Sequence, residues 1–218
     1  MEQLTLAQIL DAGLDDWRKL ARALHARYLT GDFVTGLRFV TAVTEAAEAA
    51  NHHPDVTLTY PAVDLALLSH DVGRLTQRDV DLARRISEIA AAQGIAADPA
   101  GPALVELALD SADIRPQSRF WSALLTGSAD NVDPDEGDVI DPTGQVPLLW
   151  FQRTDAHETP RQRFHLDLWV PHDVAEERIA AAVAAGGAVV DDTERPSFVV
   201  LADPEGNRVC VCTCLDRG

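Results

Sequence analysis

At 218 residues the chain is long enough for one large domain or for two small ones, each with its own core. Its 35 acids against 18 bases leave a net charge of -17, a surface that repels phosphate backbones and anionic lipid headgroups, and no basic run offsets it. Nucleic-acid and membrane-surface roles are therefore not expected. The N-terminal stretch MEQLTLAQILDAGLDD has acids where a secretory signal needs bases, and nowhere do 18 apolar residues run together, so a cytoplasmic location is expected. A single lysine beside seventeen arginines, with abundant alanine, hints at a GC-rich bacterial genome.

Thr5 is placed to cap a short helix containing Leu6, Ile9 and Leu10, and Trp17 to anchor two strand-like pieces around residues 20 to 28. Asp32 caps the next helix, whose buried stripe is expected at Phe33, Leu37, Val40, Val43 and Ala47. Pro54 pushes His53 out of helical geometry, so the helix stops at the Asn51-His52-His53-Pro54 corner. Two strands should follow, with Val56, Leu58 and Tyr60 alternating in one and Val63, Leu65 and Leu67 in the other, joined by a bend at Pro61-Ala62. His70 falls where the second strand ends. A chain that doubles back there brings a third imidazole toward His52 and His53. Thr76 and Asp79, at capping-box spacing, open a helix running through Leu82, Ile86 and Ile89 to Gly94. Helix, two strands, helix, two strands, helix is an α+β layout, with helices on one face of an antiparallel sheet.

The arrangement E-x3-H-H-P-x5-Y-x9-H-x8-D, made here by Glu48, His52, His53, Pro54, Tyr60, His70 and Asp79, resembles the signature of the pterin-4a-carbinolamine dehydratases. The resemblance covers residues 1 to 96 and implies that fold. It also implies loss of water from a 4a-hydroxytetrahydropterin, a hydro-lyase reaction without metal or organic cofactor. By the same resemblance His52, His53 and His70 do acid/base work and contact substrate, Glu48 orients His52, and Asp79, Tyr60 and Pro54 are substrate-binding. Asp79 also has a plain structural role as a helix cap. The partners expected are a small-molecule pterin and a second copy of the chain, as a homodimer.

Residues 96 to 102, AADPAGP, read as a linker, dividing a first domain at 1–98 from a second at 103–218. Beyond it come a strand at 104–109, a helix at 116–125 and a strand at 146–152. A strand at 164–170, a helix at 174–185, a stop at Gly186-Gly187, and strands at 197–202 and 208–214 then repeat the layout. The stretch from Asp130 to Asp141, with six acids and no base, reads as a solvated loop. FHLDLWVP and the turn DPEGN resemble the vicinal oxygen chelate superfamily of glyoxalase and bleomycin-resistance proteins, which implies paired βαβββ modules over residues 103 to 215. In that superfamily metal ligands lie on the outer strands. Glu106, His165 and Cys210 are the positions to weigh here, with Gln152 nearby, but such a set mixes hard and soft donors and fits no single metal. No metal is expected. Cys210, Cys212 and Cys214 share one strand face and read as small buried hydrophobes. Trp121, Trp150, Phe151 and Trp169 suit an aromatic cavity or, more commonly, a core. The alternative to a dehydratase places the activity in the second domain, as a lyase, dioxygenase or small-molecule binder. The first domain would then be a scaffold or dimerisation module.

Overall fold

The computed structural model describes residues 2–102, 107–156, 166–170, 175–213 and 215–216, and of Asp167 and Trp169 the backbone alone. The first compact unit, residues 1–104, contains α1 (Leu6–Leu10), β1 (Arg18–Leu20), β2 (Ala23–Leu29), α2 (Phe33–Ala50), β3 (Asp55–Leu58), β4 (Ala62–Leu67), α3 (Gln77–Ala92) and β5 (Ala96–Ala97). Its sheet is antiparallel in the order β1-β2-β4-β3, with β5 paired to β2. Leu24, Ala26 and Tyr28 alternate on β2, and Val63, Leu65 and Leu67 on β4. All six join one core with Phe39, Val43 and Ala47 of α2 and Leu82, Ala83, Ile86 and Ile89 of α3. Both helices therefore cover a single face. Burial raises the pKa of the Tyr28 hydroxyl, which is shared between Ser87 at 3.1 Å and Asp16 at 3.2 Å.

The buried stripe of α2 differs from the expected one. Its inner line is Gly36, Phe39, Val43 and Ala47, while Phe33 and Leu37 are exposed and Val40 is only partly buried. Gly36 lies on that line against the sheet: a Cβ there would lie 2.5 Å from Leu58 Cδ1, so any side chain would have to push Leu58 aside. Counting apolar residues favours the wrong line, because the side that approaches the sheet carries the smallest residue.

The expected linker also begins too early. Ala96 and Ala97 pair with Leu29 and Tyr28, the Asp98 N–H donates to the Arg27 carbonyl at 2.8 Å, and Gly101 packs so tightly that a Cβ would meet Arg27 Cδ at 2.7 Å.

The second compact unit, residues 105–218, contains β6 (Leu107–Ser111), α4 (Ile114–Thr126), β7 (Leu149–Arg153), β8 (Leu166–Trp169), α5 (Ala175–Ala184), β9 (Ala188–Asp191), β10 (Phe198–Ala202) and β11 (Arg208–Cys212). In each half the first and last strands pair in parallel, β6 with β7 and β8 with β11. The middle strands are β9 and β10 in the second half. In the first they shrink to bridges, Val132 to Val139 and Val139 to Leu149. The acidic stretch is thus more than a solvated loop, since Asp138 and Val139 are buried. Trp121 and Phe151 are core residues.

The DPEGN turn clamps α4. Buried Asp203 accepts from Trp121 Nε1 at 3.1 Å and from the N–H groups of Glu205 and Asn207 at 2.9 and 2.8 Å. Gln117, with its amide oriented to suit these partners, donates to Asp203 and accepts from the Glu205 N–H. Asp113 makes no side-chain cap, and Glu205 Oε1 instead accepts from the N–H groups of Ala112 and Asp113. We expect a fragment of residues 1–102 to unfold cooperatively. Ending it at Ile95 should cost about 1–2 kcal/mol, because β5 and the Asp98 hydrogen bond are lost; urea titration of the two fragments measures the difference.

Candidate active site

The histidine corner is built by the way α2 ends. Asn51 takes the left-handed conformation at φ 46, which Asn tolerates better than most residues, and the His52 N–H turns back to the Ala47 carbonyl at 3.1 Å. The backbone reversal carries the His52 side chain inward, to 6% exposure, where Nε2 lies 2.8 Å from Asp79 Oδ1.

Asp79 is the third residue of α3 and is fully buried at 0% exposure. Its Oδ2 accepts from Ser69 Oγ at 2.7 Å, from the Thr76 N–H at 2.7 Å and from Thr76 Oγ1 at 3.2 Å. One carboxylate therefore joins the end of α2, the segment after β4 and the start of α3. With donors converging on it, Asp79 acts as acceptor, which assigns the proton of His52 to Nε2. Among the described residues none is hydrogen-bonded to Nδ1.

His53 points the other way. Its Nε2 lies 3.0 Å from Glu48 Oε1, with the two side chains 54% and 70% exposed, a pair that solvent screens heavily. Glu48 thus partners His53, whereas the sequence reading gave it to His52; the inward turn of His52 leaves only the next imidazole beside the last turn of α2. His70 is exposed, in a turn closed by the Val72 and Gly73 N–H groups donating to the Ser69 carbonyl. Beside it Asp71 pairs with Arg78, whose hydrogen bond holds the Asp71 carboxyl below its ordinary pKa. Asp55 pairs with Ala66, and the same antiparallel run carried two or three residues further brings His53 and His52 level with Leu68 and Ser69. His52, His53 and His70 therefore share one end of the sheet.

Two substrate-binding expectations change. Asp79 lies behind His52 and, at 0% exposure with its oxygens taken by His52, Ser69 and Thr76, is shut off from any ligand. Tyr60 is 70% exposed in the turn closed by the Thr59 N–H and the Ala62 carbonyl. It stands at the far end of β3, roughly 20 Å from His53 at the rise of an extended chain. Pro54 is half-buried and directs the chain into β3. Ser69 was missed, because a lone serine after a strand gives no signal until the fold sets it against Asp79.

In the second unit Glu106, His165 and Cys214 lie outside the described residues. Cys210 is half-buried and Cys212 buried on β11, and Gln152 is exposed on β7. Among the described residues no group of three His, Cys, Asp or Glu side chains could hold a metal ion. Nor is any helix there long and apolar enough to cross a membrane.

Comparison with known proteins agrees with both halves. Residues 1–89 match the family described as Pterin 4 alpha carbinolamine dehydratase, and residues 106–212 match the family described as Glyoxalase-like domain. A candidate pterin-4-alpha-carbinolamine dehydratase of Koribacter versatilis is 45% identical over 76 residues, 35% of this chain and 81% of that protein. One from Thermomicrobium roseum is 38% identical over 90 residues, 41% of this chain and 96% of that protein. Among solved structures, a transcriptional coactivator/pterin dehydratase from Brucella melitensis aligns at 30% identity and TM-score 0.39, over 41% of this chain and 99% of that one. A glyoxalase/bleomycin resistance protein/dioxygenase family enzyme from Burkholderia phytofirmans aligns at 20% identity and TM-score 0.39, over 50% of this chain and 97% of that one. Through its first unit, the chain belongs to the pterin 4 alpha carbinolamine dehydratase family.

Proposed function

We propose that the first unit dehydrates a 4a-hydroxytetrahydropterin to the quinonoid dihydropterin. The elimination breaks a ring N–H bond, whose proton goes to a base, and the C4a–O bond, whose hydroxyl leaves as water after taking a proton from an acid. Histidine suits both tasks near neutral pH, and a positioned acid or base typically contributes 10²–10⁴-fold. The observation that carries the reading is the His52–Asp79 pair. A buried carboxylate fixes one imidazole in a single tautomer and orientation, at the same sheet end as two exposed imidazoles. Asp79 is a positioning residue in this scheme. His52, His53 and His70 are the acid/base and substrate-contacting groups, and Glu48 supports His53.

A second reading has one observation in its favour. The second unit has a depression of about 460 Å³ between α4 and residues 129–137, where Arg115, Arg119 and Arg153 face Asp130 and Asp135. A charged small molecule would suit it, as a ligand of the glyoxalase-like half. The expected homodimer we place on the outer side of α2, where Phe33, Val34 and Leu37 are exposed.

Purified protein should accelerate 4a-hydroxytetrahydropterin dehydration, and His52→Ala or His70→Ala should lower the rate by about 10²-fold or more. His70 is exposed, so its variant should keep the fold; an unchanged rate would show the assigned site to be wrong. Ser69→Ala removes a donor from a buried carboxylate and should cost about 1.5–3 kcal/mol in urea unfolding, whereas Glu48→Ala, at a solvent-screened pair, should cost under about 1 kcal/mol.

A further inference from the structure

Among the described residues only two arginines, Arg115 and Arg153, have no hydrogen bond or ion pair, and both line the depression of about 460 Å³ in the second unit. Every other described arginine donates to a carbonyl or a side chain, pairs with an acid or is otherwise engaged. On a chain of net charge -17 a guanidinium without an acid stands out, and the two that lack one share a single hollow.

Three segments build that hollow. Arg115 and Arg119, one helical turn apart, share a face of α4. Arg153 is the cross-strand partner of Ser111, which ends β6 just before α4 begins, so a third guanidinium arrives from the sheet at the same end of the helix. Opposite them runs the stretch 129–137. Its turn is held by Asp133 Oδ1, which accepts from the N–H groups of Asp135 and Glu136 at 2.9 Å, and by the Gly137 N–H, which donates to the Asp133 carbonyl at 3.0 Å. Gly137, at φ 83, lies against α4, where a Cβ would come within 2.9 Å of Ile114 Cγ2, and Val139 beyond it is core. The acid-bearing wall is thus packed onto the helix that carries the arginines.

The hollow falls in the size range of small-ligand sites, about 300–1,000 Å³, and has room for more than one oxyanion. Guanidinium groups recognise carboxylate and phosphate through paired N–H donors. Arg115 and Arg153 have those donors free, whereas Arg119 lies 3.4 Å from Asp130. On the facing wall the Asp135 carboxylate has no cationic partner among the described residues. A second negative charge on the ligand would meet Asp130 and Asp135, while an amine would answer them. Resting on the reading that this depression takes a charged small molecule, we infer that it is a site for a small zwitterion, with a phosphate or carboxylate held by Arg115 and Arg153 and an amine directed to Asp135.

The test is calorimetric titration of the full chain at low salt, where such contacts are least screened, with phosphoethanolamine, ethyl phosphate and ethanolamine, which carry both charges, the anion alone and the amine alone. Phosphoethanolamine should bind about tenfold more tightly than either of the others. Arg115→Ala and Arg153→Ala should each weaken it about tenfold, as loss of a hydrogen bond to a charged group does, and Asp135→Asn should weaken phosphoethanolamine but not ethyl phosphate. Binding of 4-aminobutyrate in its place, with the same response to the variants, supports the site equally and makes the oxyanion a carboxylate. All three side chains are exposed, so the variants should keep the fold. Ethyl phosphate binding as tightly as phosphoethanolamine overturns the zwitterion but leaves the charged-ligand reading standing. Binding that none of the variants alters overturns the site. No binding of any of the four compounds overturns both, and the dehydratase reading, which concerns the first unit, is untouched by each result.

Discussion

The first unit depends on the Asp79 carboxylate more than on any other group. A carboxylate at 0% exposure is costly unless its lone pairs are filled, and here the donors come from four different groups: His52, Ser69, the Thr76 amide and the Thr76 hydroxyl. None of these can be removed without leaving buried charge under-solvated. The helix cap, the loop that holds His70 and the orientation of His52 are thereby set by one group. A helix start that needs an anion for its own N–H groups supplies, at no further cost in burial, the acceptor that fixes an imidazole.

The other end of the device is the stop of α2. Asn51 in the left-handed region reverses the chain in one residue, which is what lets two adjacent histidines face opposite ways, one into the protein and one into solvent. His52 and His53 are thus unequal despite being neighbours. The inner one is rigid and coupled to a buried charge, while the outer one rests on an exposed glutamate that solvent screens. Two groups with different surroundings suit a reaction in which one proton is taken and another delivered.

Much of this was legible in the sequence, for identifiable reasons. Proline and asparagine punctuate the chain whatever the tertiary context, so the α2 stop, the β3–β4 hairpin and the Thr76–Asp79 capping box could be placed from residue type alone. The site's inward wiring could not. Which imidazole meets Asp79, and that Glu48 meets His53, depends on a backbone reversal that spacing does not encode. Tyr60 sits in the histidine signature yet lies a strand length away, because proximity in sequence becomes distance along an extended chain. The stripe of α2 was misplaced because glycine carries no apolar signal, although Gly36 faces Leu58 of β3. In the second unit the repeat was visible, but the reduction of two strands to bridges was hidden by their acidic residues.

In the proposed dehydratase, Asp79 holds His52 with Nε2–H donating and leaves Nδ1 for the pterin. The most direct measurement is the ring nitrogen spectrum of His52 in ¹⁵N-histidine-labelled protein, recorded alone and with a dihydropterin bound. The expected result is a protonated Nε2 that is unmoved by ligand and an Nδ1 whose resonance shifts on binding. A proton on Nδ1 in the free protein, or a His52 spectrum indifferent to the pterin, would contradict it.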